Sequence, residues 1–153
     1  MNINIREAKP KDFKRLEELL SQNSMLNSPE VDGCKAMKKV YEKMGKYFLI
    51  AEIDNDVVGI IRGCYDGSRA VIHQIAVDKK YQKQNIGKKM VYELASRFKS
   101  DGAPSISVTA TKKTKKYYKS LGFSYLPITL MVAFDINKVI KKSYVEVNKD
   151  EKS

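Results

Sequence analysis

Val77-Asp78-Lys79-Lys80-Tyr81-Gln82-Lys83-Gln84-Asn85-Ile86-Gly87-Lys88-Lys89-Met90-Val91 joins two different periodicities. Before it, Ala70–Val77 is apolar almost throughout and reads as a strand. After it, Ile86, Met90, Val91, Leu94, Ala95 and Phe98 form one stripe at helical spacing, which predicts a helix over about Asn85–Lys99. The polar run between them is therefore a strand-to-helix turn. The first N–H groups of a helix have no partner inside it, and with the helix dipole they suit an anion such as phosphate. Close approach of a ligand to that backbone needs small side chains or left-handed turns. Gly87 has no side chain, and Asn85 is a type that tolerates positive φ. Lys83, Lys88 and Lys89 add charge beside the amides. The stretch is a candidate pyrophosphate cradle.

Upstream, three strands are expected in series. Tyr47–Ile53 runs into the turn Asp54-Asn55-Asp56, Val57–Tyr65 into Asp66-Gly67-Ser68-Arg69, and Ala70–Val77 follows. Turns this short imply antiparallel neighbours. Earlier still, Asn2–Glu7 alternates as a short strand, and Pro10 starts a helix with Phe13, Leu16, Leu19 and Leu20 on its apolar face. Ser21–Ser28 reads as a loop. A second helix is expected from Pro29 to Gly45, with Val31, Cys34, Met37, Val40, Tyr41 and Met44 on one face. Downstream, Ser105–Ala110 alternates as a strand, and the helix before it lets it lie parallel to Ala70–Val77. A third helix is expected at about Lys112–Ser120. Tyr125 and Ile128–Ile136 read as the last strands, Asn137–Lys142 as a short helical turn and Ser143–Ser153 as a polar tail. The expected organisation is a single domain over residues 1–142 and a tail over 143–153.

The 153 residues suffice for one domain with a real core. No apolar run approaches the ~20 residues of a membrane span, and Met1–Arg6 lacks the layout of a signal peptide, so a cytoplasmic protein with no membrane partner is expected. Cys34 and Cys64 lack metal-ligand spacing and His73 is the lone histidine, so no metal is expected. The net charge of +11 implies an anionic ligand, partner or surface. The excess lies in two clusters, one around the cradle and one at Lys112, Lys113, Lys115, Lys116 and Lys119. No nucleic-acid-binding motif accompanies it, so nucleic acid is not the expected partner.

Gln82-x-x-Asn85-x-Gly87 resembles the Arg/Gln-x-x-Gly-x-Gly/Ala signature of the GNAT acyl-CoA N-acyltransferases, which cradles the pyrophosphate of coenzyme A. Asn85 stands where that family usually has glycine. Tyr117-Tyr118-Lys119-Ser120-Leu121-Gly122-Phe123 resembles the family's aromatic-Tyr-x-x-x-Gly-Phe close, and Ile5 to Leu20 its opening. The likeness runs from Ile5 to about Phe134 in the family's order of elements. It implies an α/β (α+β) GNAT fold. The central sheet would be mixed, mostly antiparallel, of six to seven strands, with a parallel pair at the CoA cleft and about four helices on both faces.

The resemblance further implies an acyltransferase that moves an acetyl group from acetyl-CoA to a primary amine by direct attack in a ternary complex. The donor would be held by the backbone of Gln82, Lys83, Gln84, Asn85, Ile86, Gly87 and Lys88, and by strand pairing along Ile75, Ala76 and Val77. An N–H of that strand would face the thioester oxygen. Tyr118 is the implied general acid near the sulfur, with Tyr117 beside it in a packing role. Thr111 stands where the family often has an asparagine that holds the CoA arm, and Thr114 where it often has alanine. By period-2 alternation His73 shares a face with Val71, Ile75 and Val77, and it is the candidate proton acceptor; Glu52 is the reserve. The acceptor is a small-molecule or peptide amine, its wall formed by Ser21–Ser28, the second helix and Tyr125–Thr129. A homodimer is compatible with the family. Two other readings stand beside this one: a CoA-binding sensor without turnover, and an acetyltransferase for an anionic macromolecule such as RNA.

Overall fold

Asp54 and Asn55 both take positive φ, +48° and +67°, the backbone that a two-residue hairpin turn demands. They join β2 (Phe48–Ile53) to β3 (Asp56–Tyr65), and a second tight turn joins β3 to β4 (Ala70–Val77). The computed structural model describes residues 1–150, with side chains described through residue 145. It forms two compact units, Met1–Phe123 and a second that begins at Ser124.

In the first unit the sheet order is β1 (Asn4–Glu7), β2, β3, β4 and β5 (Ile106–Val108). The first three pairings are antiparallel and β4–β5 is parallel. One face is covered by α1 (Phe13–Gln22) and α3 (Cys34–Met44), whose Phe13, Leu16, Leu19, Leu20 and Met37 pack on Phe48, Ile50, Ile60 and Ala76. The other is covered by α4 (Ile86–Ser100), whose Met90, Val91, Leu94 and Phe98 pack on Leu49, Val58, Ile61 and Ile72. Burial on both faces explains why β2 and β3 are apolar without alternation. The mixed sheet and the parallel pair agree with the sequence reading.

Several expectations are corrected. The sheet has five strands, not six to seven. Tyr125 and Ile128–Ile136 have strand-like composition but join no ladder. Ile128 N–H instead bonds locally to the Leu126 carbonyl at 2.9 Å, and Pro127 removes a donor. β-propensity describes fit to a pleated surface and makes no strand without a partner.

The second helix is two helices. α2 (Pro29–Asp32) ends at Gly33 and α3 begins after it. A Cβ at Gly33 would lie 2.6 Å from the Pro29 carbonyl oxygen, so only glycine fits the break. The break buries Asp32 and leaves Val31 exposed, off the apolar face it was assigned to.

In the second unit, Asn137–Lys142 is the beginning of α6 (Ile136–Asp150) rather than a short turn. The Asp135 carboxylate accepts the Asn137 N–H at 3.0 Å, starting that helix as a cap does. Of the expected tail, residues 143–150 are helical, and 151–153 lie outside the described residues.

Arg6 fixes the start of the chain to the sheet. Its guanidinium donates to both Asp12 oxygens at 2.8 and 3.1 Å and to Glu52 at 2.9 Å. Burial alone would raise the Asp12 pKa, but the Arg6 charge and the Lys9 N–H outweigh it and hold it below the usual carboxylate range. Arg6→Ala leaves the Asp12 carboxylate buried without its partner and should cost about 2–4 kcal/mol in denaturant unfolding at pH 7. A depressed carboxylate pKa stabilises the fold above about pH 4, and that contribution is lost as pH falls through the folded value. The gap between wild type and Arg6→Ala should therefore narrow below pH 4.

Candidate functional site

Strand β4 has a full-length partner on one edge only. On the β3 edge the register runs from Tyr65↔Ala70 to Gly59↔Val77. On the other edge, β5 pairs only with Ala70, Val71 and Ile72. Asp78 N–H donates to the Val58 carbonyl at 2.8 Å. Antiparallel pairs alternate between bonded and non-bonded, so Gly59·Val77 and Ile61·Ile75 are non-bonded pairs. The backbone groups of Ile75 and Val77 therefore face the edge that β5 does not reach. The Val77 carbonyl confirms the direction: it accepts the Asn23 side-chain amide at 3.2 Å and that of Gln82 at 3.1 Å. Ile75 and the Val77 N–H remain directed at the open edge, while Ala76 turns its backbone to β3.

The turn after β4 is held from below. The buried Asp78 carboxylate accepts the Lys80 N–H at 2.9 Å and pairs with Arg15 of α1. Burial opposes its ionisation, but these partners keep its pKa below the usual range. Gln82 also donates to Asn23 Oδ1 at 3.1 Å, so its side chain braces the loop and leaves its backbone to the front. Lys83 and Asn85 both adopt left-handed backbone, φ +62° and +64°. Asn85 makes no side-chain cap, and the first ladder bond of α4 is Lys89 N–H to the Asn85 carbonyl. The N–H groups of Ile86, Gly87 and Lys88 precede that ladder. Gln84, Lys83 and Lys88 are exposed beside them, whereas Ile86 is buried in the core.

A Cβ at Gly87 would lie 2.9 Å from the Tyr117 hydroxyl and 3.9 Å from Ile75 Cδ1. Tyr117, read from the sequence as a packing residue, thus lies with its hydroxyl over the cradle. It forms no hydrogen bond through that hydroxyl among the described residues. Its neighbour Tyr118 on α5 (Lys115–Ser120) has a buried ring, edge-on to Phe123 and Tyr117 with centroids 5.6 and 5.3 Å apart. No fully buried side-chain oxygen or nitrogen lacks a partner among the described residues. Among the described residues the Tyr118 hydroxyl has no hydrogen-bond partner, so it is not fully enclosed. Burial, and secondarily Tyr117, push its pKa up, which keeps it a proton donor at neutral pH.

Two candidates move. The register of β3 and β4 shifts between Arg62↔Gln74 and Gly63↔Ile72, so His73 is the extra residue of a β-bulge. The bulge breaks the alternation. Ile75 and Val77 pack toward α4, whereas His73 lies at 3.3 Å from Cys64 Sγ, on the α1–α3 side with Arg62 and Gln74. Partial burial and the Arg62 charge both push the imidazole pKa down, so it is neutral at pH 7. Glu52, the reserve, lies on β2, two strands from β4, where its hydrogen bond to Arg6 holds its pKa down.

Thr111 is engaged with Thr114: its N–H donates to Thr114 Oγ1 at 2.9 Å, and its Oγ1 accepts the Thr114 N–H at 3.3 Å. It shapes the approach to α5, which begins three residues later than the sequence suggests. Among the described residues no helix is long and apolar enough to cross a membrane, and no group of three or more His, Cys, Asp or Glu side chains could hold a metal.

A family profile described as acetyltransferase (GNAT) domain matches residues 17–127. The chain belongs to the GNAT acetyltransferase family. Solved structures match it over most of its length. Glucosamine-6-phosphate N-acetyltransferase from Arabidopsis thaliana is 21% identical, with a TM-score of 0.68, covering 88% of this chain and 100% of that one. Ard1 from Thermoplasma volcanium is 22% identical, with a TM-score of 0.73 and coverage of 86% and 87%. An acetyltransferase from Clostridium acetobutylicum, solved with acetyl-CoA, is 18% identical, with a TM-score of 0.66 and coverage of 86% and 96%. At these identities the likeness speaks for the GNAT fold.

Sequence reasoning missed Asn23, Arg15 and Asp78 as supports of the turn after β4, because each acts across more than 50 residues. The tyrosine at Gly87 is testable. Gly87→Ala should disturb the cradle because its methyl group meets the Tyr117 hydroxyl. Gly87→Ala combined with Tyr117→Phe should recover most of the lost stability, about 1 kcal/mol by denaturant unfolding. Additive losses would show that the contact is slack.

Proposed function

We propose that this GNAT protein transfers an acetyl group from acetyl-CoA to a primary amine by direct attack in a ternary complex. The observation that carries the reading is the open edge of β4 at Ile75 and Val77 leading straight into the unladdered N–H groups of Ile86, Gly87 and Lys88. One part suits an extended amide-bearing arm, the other a pyrophosphate. Acetyl-CoA supplies an activated acyl carbon, whose C–S bond breaks as a C–N bond to the amine forms.

The chain's own groups then divide the work. The cradle amides, with Lys83 and Lys88, hold the phosphates, and Thr111 borders the arm. A backbone N–H at Ile75 or Val77 donates to the acyl oxygen as negative charge develops there. The Tyr118 hydroxyl donates its proton to the departing sulfur. The amine must be neutral to attack, and His73, neutral at pH 7, accepts the proton it loses, directly or through water. The acceptor is a small-molecule or peptide amine, and the protein acts in the cytoplasm.

The test is calorimetric titration of acetyl-CoA at two salt concentrations, followed by release of free CoA with spermidine, tyramine and glucosamine 6-phosphate. Wild type should bind in the micromolar range. Gly87→Trp should lose at least about tenfold in affinity, more than 1.4 kcal/mol. Tyr118→Phe should bind normally and turn over about 10–100-fold more slowly. Binding without turnover of any amine would leave a CoA-binding module, and no binding would overturn the reading.

A further inference from the structure

Two irregularities of the fold meet at one place. The break at Gly33 turns Asp32 inward, where its side chain is 5% exposed. The bulge at His73 turns Gln74 onto the same face, 8% exposed, opposite its register partner Arg62. The three side chains form one closed network. Gln74 Nε2 donates to Asp32 Oδ1 at 3.1 Å, and Arg62 Nε donates to Gln74 Oε1 at 3.1 Å. Arg62 Nη2 donates to the Val31 carbonyl at 3.2 Å and to Asp32 Oδ1 at 3.4 Å. The other Asp32 oxygen accepts the Asn27 N–H at 3.1 Å.

Each group satisfies a need the others create. A buried carboxylate requires a positive partner and donors for both oxygens. The Arg62 fork reaches Gln74 with one nitrogen and α2 with another, which an ammonium could not do from one position. Apolar packing would bury the same surface without fixing direction. The network ties residues 27–32 to β3 and β4 beside His73.

We propose that Arg62, Asp32 and Gln74 are positioning residues that set the amine-side wall of the site relative to His73. This rests on the acetyl-transfer reading above. None of the three needs to touch the amine. Arg62 also has a second effect, since its charge disfavours a proton on His73. Cys64 on β3 also lies against that imidazole, Asp32 on α2 pairs with Arg62 behind it, and β5 carries no ionisable side chain.

Two variants separate the wall from the charge. Arg62→Lys keeps the charge but loses the fork. It should raise the KM for the best of the three amines about 5–10-fold, leave the KM for acetyl-CoA within about twofold, and leave His73 titrating as in wild type. Arg62→Gln should produce the same KM split. It should also move the His73 titration upward, read from the ring proton resonances of the only histidine in the chain. Amide exchange at Asn27, Val31 and Asp32 should quicken at least about tenfold in both variants. A lowered melting temperature with unchanged amine KM and unchanged exchange would overturn the proposal and leave the network merely structural. If wild type acetylates none of the amines, the acetyl-transfer reading fails first. The titration and exchange need no turnover, and unchanged values there would overturn the clamp itself.

Discussion

Strand β4 is bonded along one edge for its whole length and along the other for three residues. Almost everything of functional interest follows from that splay. A strand in the middle of a sheet has no backbone to offer, and a strand at the rim offers it to any passing chain. Here β5 starts the pairing and then leaves it. The released groups at Ile75 and Val77 lie on the edge of β4 that β5 leaves open, a few residues before the start of α4. The turn that joins them has to be tight and partly left-handed, and Lys83 and Asn85 adopt that backbone.

The polar groups that hold this arrangement are placed where they cannot be swapped for apolar ones without losing direction. Asp78 and Arg15 tie the end of β4 to α1. Asn23 and Gln82 occupy the Val77 carbonyl, which would otherwise be the last exposed acceptor on the open edge. Asp32, Arg62 and Gln74 do the corresponding work elsewhere on the α1–α3 face. The core proper is two apolar layers on either side of the sheet. It supplies the driving force for folding and says little about where the cleft will open.

The local features were legible in the sequence. Helical spacing from Ile86 to Phe98 located α4, short polar turns gave the antiparallel strands, and the intervening helix gave the parallel pair. Asn85 is a residue type that tolerates left-handed backbone, and its φ is +64°. What escaped was register and partnership. A bulge at His73 depends on how β3 and β4 slide past each other, which neither strand reveals alone, so the face assigned to His73 was wrong beyond the bulge. Gly33 interrupts a helix whose apolar spacing continues across it, because the constraint is a contact with the Pro29 carbonyl. Ile128–Ile136 has the composition of a strand without a ladder to join. Tyr117 and Tyr118 are adjacent in the chain, and only the packing of α5 decides which hydroxyl lies over Gly87.

The measurement that bears most directly on the cleft is a backbone amide NMR titration with acetyl-CoA. The largest shifts should fall on Ile75, Val77 and Asn85–Lys88, with the amides of β1 and β2 nearly unmoved. Saturable binding whose shifts lie elsewhere, or spread evenly over the surface lysine clusters, would contradict it.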